Sequence, residues 1–358
     1  MINGKRRGRG STHRVDNPFE SQSYRAETEF LNWQLKNGEN PLADEATQWI
    51  SVEAKSIVNA VNSPDIGHKW SLNPYQGCEH GCSYCYARNS HSYWAMDAGL
   101  DFERKILVKE NAAALLSKHL EKKSWQAAPI MLSGNTDCYQ PLERHLKITR
   151  QCLEVFLAYG NPVGIITKNA LIERDIDLLK KLAAKNLVQV AFSINTLNED
   201  LRRPMEPRTA SVKRRLAAVK NLSQNRIPVK VMIAPIIPGL NSHEVLAIAK
   251  EAHEAGAIDI NYTMLRLNGQ VAELFKSWLQ SNFPDRLHKV LNLVAETHGG
   301  NLNDSQFGRR MRGNGAIAEQ VKQSIELARR KYFKNTRKHR YDLSQFQRIQ
   351  KGQFRLFD

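Results

Sequence analysis

Short apolar runs recur along the middle of the chain, each followed by a stretch with helical spacing. Pro129-Ile130-Met131-Leu132, Val163-Gly164-Ile165-Ile166-Thr167, Val188 to Ser193, Val229 to Ala234 and Ile258 to Leu265 read as strands. Between them, Leu142, Leu146, Leu153, Phe156 and Leu157 fall on one helical face, and helices are expected over 171–184, 212–222, 243–255 and 271–279. Near-continuous apolar strands alternating with helices argue for a parallel sheet buried on both faces. A weaker strand at Trp70 to Asn73 brings the count to six βα units, too few to close an eight-stranded barrel. The 358 residues are ample for such a core.

The loop after that first strand, Asn73 to Arg88, holds three of the five cysteines: Cys78, Cys82 and Cys85, spaced C-x3-C-x2-C. Gly77 and Gly81 let the backbone turn, so three thiolates can point at one centre. Soft thiolate sets suit iron–sulfur clusters and zinc. A [4Fe–4S] cluster has four irons, and three cysteines leave one for a non-protein ligand, as an open position distinguishes a catalytic metal site. The alternative is a Cys3His zinc knuckle completed by His80 or His91, in a nucleic-acid-binding protein without catalysis. Cys138 and Cys152 stand alone, too few for a second cluster; Cys152, beside Leu153, reads as a small core residue.

In parallel barrels, active sites lie at the C-terminal ends of the strands. Those ends carry Gly134, Asn135, Thr136 and Asp137 after the second strand, Lys168 after the third, and Ser193 after the fourth. Arg208 follows in Glu206-Pro207-Arg208 and is suited to a bidentate carboxylate pair. Helix capping explains several of these residue types equally well.

The cysteine loop, with Tyr84 just before its last cysteine, resembles the signature of the radical S-adenosylmethionine (SAM) superfamily. That resemblance implies an α/β fold built on a partial (β/α)6 barrel. It also implies a [4Fe–4S] cluster on Cys78, Cys82 and Cys85, SAM at the open iron, and reductive cleavage of SAM to a 5′-deoxyadenosyl radical. A flavodoxin- or ferredoxin-type electron donor would be the partner. Cofactor contacts are expected at Tyr84, Gly134, Asn135, Asp137, Lys168, Ser193 and Arg208. Thr136-Asp137 before Tyr139-Gln140-Pro141, Glu206-Pro207-Arg208, Ala234 to Gly239 and Arg310-Met311-Arg312-Gly313 are similar to the branch related to spore photoproduct lyase. That branch carries a hydrogen-donor cysteine near the second strand. Cys138 is the catalytic candidate on this loop, although it follows the Asp where the family's cysteine precedes it.

The barrel is expected over 65–300, after an N-terminal extension, 1–64, and before a C-terminal helix and tail, 301–358. The net charge of +16 sits mostly at the two ends: five Lys/Arg against one acid in 1–16, and fourteen against four in 309–358. Such arms attract polyanions, so nucleic acid is the leading substrate or partner class; a solvated tail is the plainer reading. Residues 1–27 are expected to be disordered at least to Arg14, with Trp33, Trp49 and Ile50 as anchors against the body. A helix is expected over 314–333, then a flexible tail over 334–358, whose Tyr341, Phe346, Phe354 and Phe357 could stack on bases or dock on their own domain. With no apolar run of about 20 residues, no secretory signal and no disulfide framework, a cytoplasmic, non-membrane protein is expected.

Overall fold

A computed structural model describes residues 10, 11, 15, 46–336 and 338–349. Its ten strands are β1 (Gln48–Ser51), β2 (Val58–Ala60), β3 (Trp70–Leu72), β4 (Tyr75–Gln76), β5 (Lys105–Val108), β6 (Ile130–Leu132), β7 (Val163–Thr167), β8 (Val188–Ser193), β9 (Val229–Ile236) and β10 (Ile260–Met264). The main sheet runs β10-β9-β8-β7-β6-β3-β2. From β3 to β10 every pairing is parallel, while β2 caps the edge antiparallel to β3. Each parallel strand lies beside its successor, with helices between, which makes a partial (β/α)6 barrel. A second sheet, β1-β5-β4, flanks the loop after β3.

The two faces of the sheet differ as period-two alternation requires. Leu72, Ile130, Leu132, Val163, Ile165, Val190, Phe192, Val231 and Ile233 are fully buried and form one core with Leu116, Phe156, Leu179, Leu222 and Ile248 of the surrounding helices. The concave face presents Ser71, Met131, Gln189, Lys230, Met232 and Asn261, all half-buried. The fully buried residues therefore glue helices to sheet, and the alternates, polar apart from Met131 and Met232, are left for the barrel interior.

Asp65, just beyond the β2 edge, accepts 2.6 Å hydrogen bonds from Gly308 N and Arg310 Nε. Met264 N of β10 donates to Met311 O at 3.0 Å. The stretch 308–311 thus ties the last strand to the opposite edge of the open barrel.

The tail departs from expectation. Thr336 Oγ1 donates to Ile258 O (2.7 Å), Asp342 N to Asn186 O (3.1 Å), Gln347 N to Tyr159 O (3.0 Å) and Arg348 Nη2 to Trp125 O (2.8 Å). These carbonyls lie ahead of β10, β8, β7 and β6, so the tail runs beneath the N-terminal ends of the strands. Tyr341 reaches Gly164, where a Cβ would stand 3.2 Å from its hydroxyl, and Phe346 packs on the core. Half-buried aromatics and loop carbonyls needing donors hold it down. Phe354 and Phe357 lie outside the described residues.

At the other end, Gly10, Ser11 and Val15 are buried, against the expectation of disorder to Arg14. The rest of 1–27, and Trp33, lie outside the described residues. Trp49 and Ile50 are no anchors: they are 57% and 39% exposed, on a strand solvated along its whole length. The helix expected over 142–157 is two, Glu143–Leu146 and Ile148–Tyr159, split at Lys147 with φ 54°. Helices Ala112–Leu120 and Leu287–Glu296 were not anticipated, nor was the small sheet, whose β4 has only two residues.

If the tail is structural, Tyr341→Ala should lower unfolding stability by about 2 kcal/mol. A urea titration would register this as an earlier midpoint at unchanged slope.

Candidate active site

The loop bearing Cys78, Cys82 and Cys85 springs from the C-terminal end of β3. Gly77 (φ 85°) and Gly81 (φ 64°) take the left-handed turns that a side chain would resist. Cys78 N donates to Phe102 O at 2.9 Å, and Ser83 N to Met205 O at 3.0 Å. The loop's central strut is Arg88, fully buried. Its Nε meets Cys82 O at 3.0 Å, Nη1 meets Ala98 O and Gly99 O, and Nη2 pairs with buried Glu103 at 2.5 Å.

The three cysteines lie side by side. Cys85 packs both against the cluster containing Cys82 and Tyr84 and against the one containing Cys78 and Phe102. Burial pushes the Cys82 thiol up to about 12 and Cys78 well above its ordinary value, and their neighbouring cysteines add to both shifts. Thiols in this setting become thiolates only against a cation. Cys138 and Cys152 are elsewhere, fully buried in the main core. The structure does not bring Cys138 to the cysteine loop: its amide bonds Ser133 Oγ, its carbonyl accepts from Thr149, and burial drives its thiol far up.

Neither histidine points to a zinc knuckle. His80 engages Asp137 through Nδ1 (3.4 Å) and Asn169 through Nε2 (3.3 Å). His91 turns Nε2 to Lys105 O at 3.0 Å, packs edge-on against Phe102, and is held neutral by burial, which lowers it to about 4. Among the described residues no group of three His, Cys, Asp or Glu is placed to hold a single metal ion.

Above the loop, Tyr84 donates its hydroxyl to Glu206, which is fully buried and bonded to Arg215 Nη2 at 2.5 Å. Arg215 also donates to Ser193 O at 3.0 Å, fixing the end of β8. Burial would raise Glu206, but Arg215 and Lys168 outweigh it and hold the carboxyl low. Lys168 Nζ lies 6.0 Å from the Tyr84 ring centroid. Burial disfavours its charge, yet Cys82, Glu206 and Asp137 hold it protonated above the usual lysine range. Asn195 is 1% exposed, its Oδ1 buried without a hydrogen-bond partner. Ser83 Oγ, beside Cys82, is in the same position.

The other sequence candidates have identifiable partners. Asp137 accepts from Thr167 Oγ1 (2.8 Å) and from the amides of Tyr139 (2.9 Å) and Lys168 (2.8 Å), and faces His80. It thereby locks the β6 and β7 ends to the cysteine loop. Asn135 N binds Asn73 Oδ1 at 2.8 Å, and Gly134 O accepts the Tyr86 hydroxyl at 2.5 Å. Arg208 is held on the loop's flank, with Nη2 3.5 Å from Glu79 and Nη1 3.3 Å from Thr47. Sequence reasoning passed over Tyr86, 52% exposed at the mouth, although it directly follows Cys85. It quoted Glu206 only as part of its motif, without a role, and passed over Arg215, since nothing in a sequence marks which charged residues will be interior.

Comparison with known proteins bears on this geometry. The model of the Radical SAM superfamily matches residues 72–252, from β3 to the helix after β9. The chain belongs to the radical SAM superfamily. An uncharacterized protein of Mycobacterium tuberculosis is 32% identical over 245 residues, 68% of this chain and 72% of the relative. One from Methanocaldococcus jannaschii is 31% identical over 247 residues, 69% and 88% of the respective chains. In fold, the chain is similar to spore photoproduct lyase with bound AdoMet and dinucleoside spore photoproduct (TM-score 0.61, 14% identity, 88% of this chain and 86% of that one). This radical SAM enzyme therefore carries its cysteine loop where the partial barrel opens. Among the described residues no helix is long and apolar enough to cross a membrane.

The Asp137 lock has a pH signature. Burial opposes ionisation, but the charge and ring N–H of His80 and the Lys168 and Tyr139 amides outweigh it and bring the carboxyl down to about 2. A depressed carboxyl stabilises the fold above the ordinary carboxylate range, and that contribution is lost as pH falls towards about 2. The contribution is about 2 kcal/mol, so unfolding measured from pH 5 to pH 2 should lose that much less stability in Asp137→Asn than in wild type.

Proposed function

We propose that Cys78, Cys82 and Cys85 hold a [4Fe–4S] cluster and that SAM occupies the space between that loop and the ends of β6, β7 and β8. The observation that carries this reading is the trio of adjacent thiols, Cys78 and Cys82 buried and Cys85 half-buried, with no fourth cysteine nearby, at the C-terminal ends of the barrel strands. The residues fit the group. Three thiolates supply three irons and leave the fourth for a polar ligand. Lys168 offers a fixed cation for the SAM carboxylate. Asn195 Oδ1 and Ser83 Oγ are buried acceptors waiting for a donor. A cluster held by Cys78, Cys82 and Cys85 would, once reduced by an external electron donor, supply the reductive cleavage of SAM and with it hydrogen abstraction from a substrate carbon. The chain's own part is to hold the loop through Arg88, orient Tyr84 through Glu206 and Arg215, and keep water from the reacting atoms.

The substrate class we favour is nucleic acid. The reading rests on the rim of the opening, not on the docked tail. Exposed Tyr86 neighbours half-buried Arg266, which neighbours Arg310, whose guanidinium stacks 4.3 Å over exposed Phe307. Aromatic faces interleaved with arginines suit unpaired bases and phosphates. The solved neighbour held with a dinucleoside photoproduct shares the fold.

Anaerobic reconstitution tests the first part. We expect a brown protein with about four irons that releases 5′-deoxyadenosine on reduction with SAM. Cys82→Ala should lose the cluster and SAM cleavage while keeping its far-UV circular dichroism. A colourless protein with one zinc, or a Cys82→Ala variant that still cleaves SAM, would sink the assignment. For the rim, Tyr86→Ala should weaken binding of a single-stranded oligonucleotide about tenfold, the cost of about one stacked base; unchanged fluorescence anisotropy at matched salt would remove nucleic acid from the reading.

A further inference from the structure

The cysteine loop is covered from an unexpected direction. Gly10 N donates to Glu103 Oε2 at 3.0 Å and Ser11 N to Glu103 Oε1 at 2.8 Å. Glu103 is the carboxylate that neutralises Arg88, and Arg88 holds the Cys82 carbonyl. Two amides about ninety residues away in the chain therefore complete the buried ion pair on which the loop is built. The approach is as close as backbone allows. A Cβ on Gly10 would overlap the Gly81 carbonyl oxygen, and one on Gly81 would stand 2.8 Å from Glu103 Oε2. Only glycine fits at either place. Ser11 is 3% exposed, and four residues on Val15 is buried with Ala98 and Leu274, its amide 3.4 Å from Asp97 Oδ1. The backbone at Gly10 lies directly on the turn between Cys78 and Cys82.

We propose that Gly10 and Ser11 form a backbone clip that closes the outer side of the cysteine loop, holding Gly81 and the Arg88–Glu103 pair in place and keeping solvent and oxidants from the three thiols. They are positioning residues that act through Glu103 and touch no reacting atom. Hydrogen bonds to a charged acceptor are among the stronger ones, so releasing two of them loosens the loop without dismantling the barrel. The proposal rests on the radical SAM reading for its purpose, but its geometry is testable without a cluster.

The test is alkylation of the metal-free, full-length protein with iodoacetamide, mapped by mass spectrometry, with core Cys152 as an internal monitor of global unfolding. In Gly10→Val the side chain has no room and the clip is displaced. Cys78, Cys82 and Cys85 should then react at least about tenfold faster than in wild type while Cys152 stays unmodified. Ser11→Pro, which removes one of the two donors, should fall between. After reconstitution, the visible absorbance of Gly10→Val should bleach faster in air. Equal loop-thiol rates in Gly10→Val and wild type would overturn the proposal. So would Cys152 reacting in step with the loop, because a local clip leaves the core closed. Failure to assemble any cluster would count against the radical SAM assignment and leave the alkylation result standing.

Discussion

Arg88 has no contact with water, and its guanidinium spends every direction on the cysteine loop and its surroundings. It ties the Cys82 carbonyl to the carbonyls of Ala98 and Gly99, and finds its counter-charge in Glu103. Breaking a buried pair of this kind costs about 3–5 kcal/mol, because the surviving charge is stranded. A loop of sixteen residues with two left-handed glycines has little preference for one shape. What gives it one is this fork, set in a fixed plane by the geometry of arginine. Lysine in the same place could not hold three carbonyls and a carboxylate at once.

A second buried arginine does for the barrel side what Arg88 does for the loop. Arg215 joins the end of β8, through Ser193, to Glu206, and Glu206 takes the Tyr84 hydroxyl. The aromatic of the cysteine motif is thus fixed from the sheet, and Leu201, Met205, Ile237 and Leu265 pack around it and Cys82. Two fully buried ion pairs, one on each side of the three thiols, are costly in desolvation. Their specificity is geometric: each pins a carbonyl at a defined point on the path from strand end to cysteine.

The sheet was legible because burial on both faces leaves a plain apolar signature; β7 and β8 have the ends their sequence indicates. The cysteine loop was legible because its chemistry needs particular residues at fixed spacing. Glu206 and Arg215 were not, since a buried ion pair joins segments by tertiary contact and carries no periodicity. Gly10 was hidden for a related reason. Within a run of Gly, Arg and Ser, composition argues for disorder, and only a partner distant in the chain makes one glycine indispensable. The helix split at Lys147 shows the opposite limit: the apolar spacing continues through 142–157, yet one residue at φ 54° breaks it without disturbing the pattern.

The net charge was the feature most easily over-read. Much of the arginine content is internal joinery. Arg174 donates to Glu143 O, Arg202 to Glu206 O, Arg312 to Tyr262 O, Arg329 to Ile260 O and Arg348 to the carbonyls of Lys123 and Trp125. These guanidinium groups serve carbonyls at strand and helix ends, where a polar acceptor would otherwise go unpaired. They still count towards +16, but they offer little to an incoming polyanion. Counterion release depends on cations free to approach phosphates, not on the formal sum. The cations of the described part of the tail, among them Lys338, Arg340 and Arg348, also lie beneath the barrel, at the end away from the cysteines. Among the described residues, the cations relevant to a substrate are those at the mouth, Lys168 within and Arg266 on the rim, with Arg310 beside it already paired to Asp65. Position relative to the opening, more than total charge, therefore decides what this chain can attract to its thiols.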